Sequence, residues 1–195
     1  IAAIHTLGIA HPPGYAFYTL LAGLWQRLVA IGTVAYRTHL LAATAGALSS
    51  TLVYLIVQRL ITNREVAKDA KFSIDFALLA PSRLALHLPA LFAGLSFAAA
   101  TDVWQHSIHT NAHIITLLLA TTSVFLLIEW WRTDHDRWLF LFALIAGFSP
   151  TQHLLLVFTF PAYAIFIVLV SPRLLIQPRR LLPLIGCFVL GLSVW

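Results

Sequence analysis

A chain of 195 residues that is 60% hydrophobic and only 10% charged falls well below the roughly one-quarter charge of a soluble domain, so lipid must solvate much of it. Its net charge of +5 does not argue for nucleic acid, because the arginines and lysines sit between apolar runs, as in loops that flank membrane spans. With Cys187 as the single cysteine, a disulfide framework and a thiolate metal site are both excluded.

The pattern predicts an all-α, polytopic transmembrane helix bundle, one partial domain over 1–195. The chain starts at Ile1 and holds no methionine, which reads as a piece of a longer protein. Its first polar stretch is His5-Thr-Leu-Gly-Ile-Ala-His11-Pro12-Pro13-Gly14-Tyr15. Two prolines cannot sit inside a helix, but they suit the turn just before one, and Gly14 permits close backbone approach. The result is either a rigid turn that holds His11 in a defined place or an ordinary loop-to-helix junction. Residues 15–31 are apolar and long enough to span, yet Trp25, Gln26 and Arg27 crowd one end. They are read as a helix lying in the membrane interface.

A span needs roughly twenty apolar residues. Candidates are 36–60, bounded by Arg37 and Arg59; 84–100, kinked at Pro89; and 112–131, which ends in the interfacial pair Trp130-Trp131. A short stretch at 138–149, a further run at 153–171 and a last one at 181–195 bring the expected segments to about six. Between the first two, 63–82 reads as a polar, solvated connection. Basic residues cluster after the first, third and fifth spans, at Arg59 to Arg83, at Arg132 and Arg137, and at Arg173, Arg179 and Arg180. If 15–31 does not cross, these clusters share the cytoplasmic side, and 5–15, 101–111 and 149–153 share the other. Charge bias alone leaves the crossing of 15–31 open.

The non-cytoplasmic segments hold the chemistry. In Asp102-Val-Trp104-Gln-His106-Ser-Ile-His109-Thr-Asn111-Ala-His113, the histidines fall at i, i+3 and i+7, one face of a helix. That face could ligate a metal, grip a polar or phosphorylated substrate, or hydrogen-bond to water. Asp102 is the expected N-cap of that helix. Ser149-Pro150-Thr151-Gln152-His153 interrupts two apolar runs and reads either as a tight turn or as a polar cavity wall.

Together these stretches carry a resemblance. Leu7-Gly8-Ile9-Ala10-His11-Pro12-Pro13-Gly14-Tyr15 resembles the LGxAHPPGY motif of a bacterial family of unknown function, which is similar to protein O-mannosyltransferases and grouped with the GT-C glycosyltransferases. Its eukaryotic relative is an O-mannosyltransferase of plexin-type receptor domains. Ala35-Tyr36-Arg37 with the run 40–59 resembles the helix that follows in that family, Trp104-Gln105-His106-Ser107-Ile108 its WxxS outer loop, and Gln152-His153 its QHT turn.

The resemblance implies inverting transfer of a sugar, mannose in the eukaryotic relatives, from a polyprenyl- or dolichyl-phosphate donor to a protein or glycan hydroxyl on the non-cytoplasmic face. It implies a bacterial inner membrane or an endoplasmic reticulum as the location. It also places 15–31 along the membrane surface. The general base is expected in an acidic loop upstream of HPPGY, so no catalytic residue can be assigned. His11, Pro12, Pro13, Gly14, Tyr15, Arg37, Trp104, Asn111, Gln152 and His153 are the expected substrate-site residues. No cofactor and no resident metal are expected. Thr110-Asn111-Ala112-His113 departs from the family pattern, which often has Glu there, and this puts specificity or activity in doubt. The competing readings are a transporter and a histidine-based metal-binding membrane protein. A transporter would place charge in the middle of spans, which are nearly free of it here.

Overall fold

The computed structural model describes residues 2–6, 15–62 and 83–194, and every regular element among them is helical. In chain order they are α1 (Ala2–Thr6), α2 (Ala16–Leu28), α3 (Val34–Thr62), α4 (Arg83–Ala99), α5 (Thr101–Ile108), α6 (His113–Thr133), α7 (Asp136–Gln152), a 3-10 stretch (Leu154–Thr159), α8 (Phe160–Val170), a second 3-10 stretch (Pro172–Ile176) and α9 (Pro178–Leu192). His11, Pro12, Pro13 and Gly14, and the polar connection at 63–82, lie outside the described residues.

Two of the described helices, α3 with 29 residues and α6 with 21, are both long and apolar enough to cross a bilayer. The remaining expected segments are shorter or broken. α2 has 13 residues, which at about 1.5 Å each reach only about 20 Å against a hydrocarbon core of about 30 Å. α4 and α7 have 17 residues and α9 has 15, each with an internal proline, at Pro89, Pro150 and Pro183. The run expected as one helix over 153–171 opens as a 3-10 stretch. Pro161 cannot donate to the residue-157 carbonyl, and its ring would clash there, so Phe160 N–H closes a tighter bond on Val157 O. Pro161 then suits the first turn of α8.

Side-chain hydroxyls inside the apolar helices fold back onto their own backbone. Thr38, Thr44, Ser49, Ser50 and Thr51 of α3 each donate to the carbonyl four residues earlier at 2.8–2.9 Å. This satisfies each hydroxyl without a partner from outside the helix.

Two apolar clusters hold the bundle. Tyr18 and Ala22 of α2 pack with Leu41, Ala42 and Ala45 of α3 and with Ile114 and Ile115 of α6. Leu126, Leu127 and Trp130 of α6 pack with Leu139, Phe142 and Ala146 of α7 and with Leu174. α7 and α9 approach closely at Gly147 and Gly191. A Cβ on Gly147 would sit 2.2 Å from Phe188 O, and one on Gly191 would sit 2.3 Å from Leu144 O.

Charge is segregated along the bundle. Glu129 of α6, buried, accepts from Arg59 Nε of α3 at 2.6 Å and from Arg132 Nη1 at 3.2 Å. Arg180 of α9 pairs with Asp136 of α7. The first two contacts tie the C-terminal ends of α3 and α6 together, and the third ties the start of α9 to the start of α7. The opposite end, where α3 and α6 start and α7 finishes, carries His39, His106, His113 and His153.

Candidate functional site

The site is assembled where four helix ends meet. Tyr15 precedes α2 with left-handed backbone angles, φ 46° and ψ 45°, and its carbonyl accepts the Thr19 N–H at 2.9 Å. That conformation is uncommon for a residue with a Cβ. It delivers the phenol ring against two imidazoles, at centroid distances of 6.2 Å to His113 and 5.7 Å to His153. His113 lies between its neighbours, 5.2 Å from His153 and 5.5 Å from His106. Behind this group Phe17 stacks on Phe148 at 4.7 Å, joining α2 to α7.

The expected single helical face of His106, His109 and His113 is corrected by the structure. α5 stops at Ile108; His109 adopts an extended conformation as its C-cap, and α6 starts afresh at His113. His39 Nδ1 lies 3.0 Å from Ile108 O and ties that chain end to α3. His106 and His113 still meet, because the break turns the chain back on itself, whereas His109 is exposed and stays apart. Their third partner, His153, comes from α7. Among the described residues no group of three His, Cys, Asp or Glu side chains has the geometry to hold a metal ion. Asp102 is corrected too: it lies in the first turn of α5, one residue past its start, and the cap position belongs to Ala100. Its carboxylate there still favours the positive helix N-terminus.

Asn111 bridges the break. Its Oδ1 accepts the His113 backbone N–H at 2.9 Å, and its Nδ2 lies 3.0 Å from His106 Nδ1. Gln152 closes the site from α7. It is 1% exposed, and its Nε2 donates to Ala112 O at 2.8 Å and to Thr116 Oγ1 at 3.4 Å, across 40 and 36 residues. The tight turn expected at 149–153 begins later than the sequence pattern suggests. Pro150, Thr151 and Gln152 belong to the last turn of α7, and the chain leaves the helix at His153, whose Nδ1 accepts the Leu155 N–H at 3.2 Å.

A cavity of about 310 Å³ opens beside this group. Asp102, His106, His113 and Thr116 supply its polar side, and Leu117 and Leu156 its apolar side. It sets one carboxylate and two imidazoles at the edge of a largely apolar lining.

The structure thus gathers Tyr15, Asn111, Gln152 and His153. It does not bring Trp104 or the Arg37 guanidinium into that contact network. The Trp104 indole is 61% exposed on the outer face of α5. Arg37 lies at the same end of the bundle, but its guanidinium holds the α2–α3 turn. Nη1 donates to Gln26 O at 2.9 Å, Nη2 to Gly32 O at 3.1 Å and Nε to Ile31 O at 3.3 Å. The Arg37 carbonyl accepts from Trp25 Nε1 at 2.9 Å, and Gln26 Nε2 donates to Thr38 Oγ1 at 2.8 Å. Sequence reasoning missed Thr116 as a wall of the cavity and the joining of His113 to His153. A hydroxyl four residues after the Ala112 carbonyl was the only local signal for the former, and nothing local signals the latter.

Fold and site define an all-helical class of chain in which apolar helices end in a polar, histidine-lined mouth. The chain belongs to the family described as protein O-mannosyl-transferase TMEM260 N-terminal domain, which matches residues 1–175. This bears out the resemblance to O-mannosyltransferase-like proteins read from the HPPGY stretch. Among its relatives, the protein O-mannosyl-transferase TMEM260 of Mus musculus is 50% identical over 60 residues, 31% of this chain and 8% of the relative. The protein O-mannosyl-transferase tmem260 of Dictyostelium discoideum is 27% identical over 81 residues, 40% of this chain and 10% of the relative. The matched stretches therefore span about a tenth or less of those proteins. No solved structure gives a significant match.

Proposed function

We propose that this chain forms part of the membrane-embedded body of a GT-C-type glycosyltransferase. The enzyme transfers a sugar, mannose by analogy with the names of its relatives, from a polyprenyl- or dolichyl-phosphate donor to a protein or glycan hydroxyl. The reaction takes place on the non-cytoplasmic face of a multi-pass protein, in an endoplasmic reticulum or a bacterial inner membrane.

One observation carries this reading: the two ends of the bundle differ in chemistry. Arg59, Arg132 and Arg180 engage carboxylates at one end, the end expected to face the cytoplasm. Tyr15, His106, Asn111, His113, Gln152 and His153 collect at the other, beside an open cavity. Sugar transfer to a hydroxyl needs a base for the acceptor proton and donors for the leaving phosphate. The imidazoles supply donors suited to a phosphate oxygen. Arg37 serves the site from behind, by holding the turn between α2 and α3, and Trp104 offers an exposed ring to the acceptor side. His11, Pro12, Pro13 and Gly14 belong to the same proposed site, since they immediately precede Tyr15 in the sequence.

The test is transfer of labelled sugar from a lipid-phosphate donor by the full-length protein in nanodiscs, comparing wild type with His153→Ala and Tyr15→Ala. A loss of at least about tenfold in both variants is expected, the equivalent of one charge-assisted hydrogen bond. Equal activity in all three proteins refutes the site assignment.

A further inference from the structure

Backbone donors fix which ring nitrogen carries the proton in two of the site histidines. A backbone N–H can only donate, so the His113 N–H at 2.9 Å must meet the oxygen of the Asn111 carboxamide. The other end of that carboxamide is then the NH2 group, which has no lone pair to accept with. It faces His106 Nδ1 at 3.0 Å, so this nitrogen must be the acceptor and the ring proton must sit on Nε2. The same logic holds at His153. There the Leu155 backbone N–H, 3.2 Å from Nδ1, leaves the proton on Nε2. Neither Nε2 has a hydrogen-bond partner among the described residues. The arrangement is unlike that of His39, whose Nδ1 faces the Ile108 carbonyl at 3.0 Å and so carries its proton on that side.

We propose that His106, on the cavity wall, and His153, one ring behind it at 5.2 Å from His113, act in this site as neutral hydrogen-bond donors to substrate oxygen, and that Asn111 is the positioning residue that sets the His106 tautomer. In this form neither ring can take the acceptor proton, since one nitrogen is already protonated and the other is already bonded. Each offers a single N–H to an acceptor, the role suited to a phosphate or sugar oxygen that gains charge as a glycosidic bond breaks. The base is then a different group, which the family resemblance expects in the acidic loop upstream of His11. Asn111 does not contact the substrate in this account. It acts through His106, by the same pair of bonds that starts α6. The assignment of a donor role to substrate rests on the glycosyl-transfer reading; the tautomers do not.

The experiment uses the full-length protein in nanodiscs with nitrogen-15 in its histidine rings. Long-range proton–nitrogen correlations distinguish the two tautomers, and His106→Gln and His153→Gln assign the signals. In the wild type both rings should show the proton on Nε2. Asn111→Asp is nearly isosteric and keeps an oxygen for the His113 N–H, so α6 still starts in place. It replaces the NH2 donor by an acceptor, so His106 should flip to the Nδ1–H form while His153 stays unchanged. The same variant should raise KM for the lipid-phosphate donor by about tenfold or more, the loss of one hydrogen bond to a charged acceptor. A wild-type His106 protonated on Nδ1 overturns the proposal, as does a flipped tautomer with unchanged KM. Wild-type protein that shows both Nε2–H rings but transfers no sugar overturns the glycosyl-transfer reading alone and leaves the tautomer assignment standing.

Discussion

The crossing of α7 and α9 makes a sharp demand on residue size. Gly147 and Gly191 face one another, and the Cβ of an alanine at 191 would lie 2.3 Å from Leu144 O and 3.0 Å from the Gly147 backbone. Ordinary contact begins near 3.4 Å, so Gly191→Ala forces the helices apart by about 1 Å, and both obstructing groups are backbone that cannot swing aside. Overpacking of this kind costs about 1–3 kcal/mol, and such glycine contacts are a principal means by which helices associate in lipid. The substitution also gains helix propensity, about 1 kcal/mol at most. Gly186 separates the two effects, because a Cβ there meets nothing within 4 Å. We expect Gly186→Ala to hold or raise the thermal midpoint in nanodiscs. Gly191→Ala and Gly147→Ala should lower it, and should lengthen the distance between spin labels on the outer faces of α7 and α9. A Gly191→Ala protein as stable as Gly186→Ala, with unchanged label distance, would refute the packing argument.

Three further outcomes follow from single contacts. Glu129→Gln leaves the Arg59 and Arg132 guanidiniums facing a neutral amide; breaking a fully buried pair costs about 3–5 kcal/mol, and with Arg59 35% exposed we expect about 2, read by thermal unfolding. Arg37→Lys should destabilise the α2–α3 turn by about 1–2 kcal/mol, because an ammonium cannot reproduce a planar fork reaching three carbonyls. Trp25 emission should shift with it, as that indole donates to the Arg37 carbonyl. Gln152→Leu should cost no more than about 1 kcal/mol, since Ala112 O keeps the Ile115 and Thr116 N–H bonds at 3.1 and 3.2 Å; a larger loss would mean that the side chain closes more than this one contact.

Much of the helical plan was legible in the amino-acid pattern, because apolar runs and their breakers act locally. The run around Leu40 to Arg59 and the run ending at Trp130-Trp131 both became helices within two residues of the expected bounds. The prolines were harder to read. At Ser149 to His153 the pattern leaves a tight turn or a polar cavity wall open, and α7 continues through Pro150 for two residues to Gln152. Pro161 was not expected to split its run, although it sets the boundary between a 3-10 and an α stretch. At the site, Tyr15, Gln152 and His153 were nominated from a motif, whereas their meeting with His106 and His113 depends on separations of about 40 residues and more. The periodicity of His106, His109 and His113 pointed to the right pair for the wrong reason. Arg37 is an expected substrate-site residue because it matches the helix of the family pattern. Its capture by three carbonyls could not be seen without the turn they belong to.

α8 differs from every other long segment in having no buried residue at all. It is held by ring edges, Tyr163 on Phe142 at 5.3 Å and Phe160 on Phe188 at 5.9 Å, over an apolar slot of about 250 Å³. The exposed side chains of α8 face away from the bundle, so in a bilayer lipid rather than protein would cover them, whereas the inner turns of α6 are enclosed by neighbouring helices. α8 is thus the apolar flank that the bundle turns outward, held by aromatic rings rather than by a closed core.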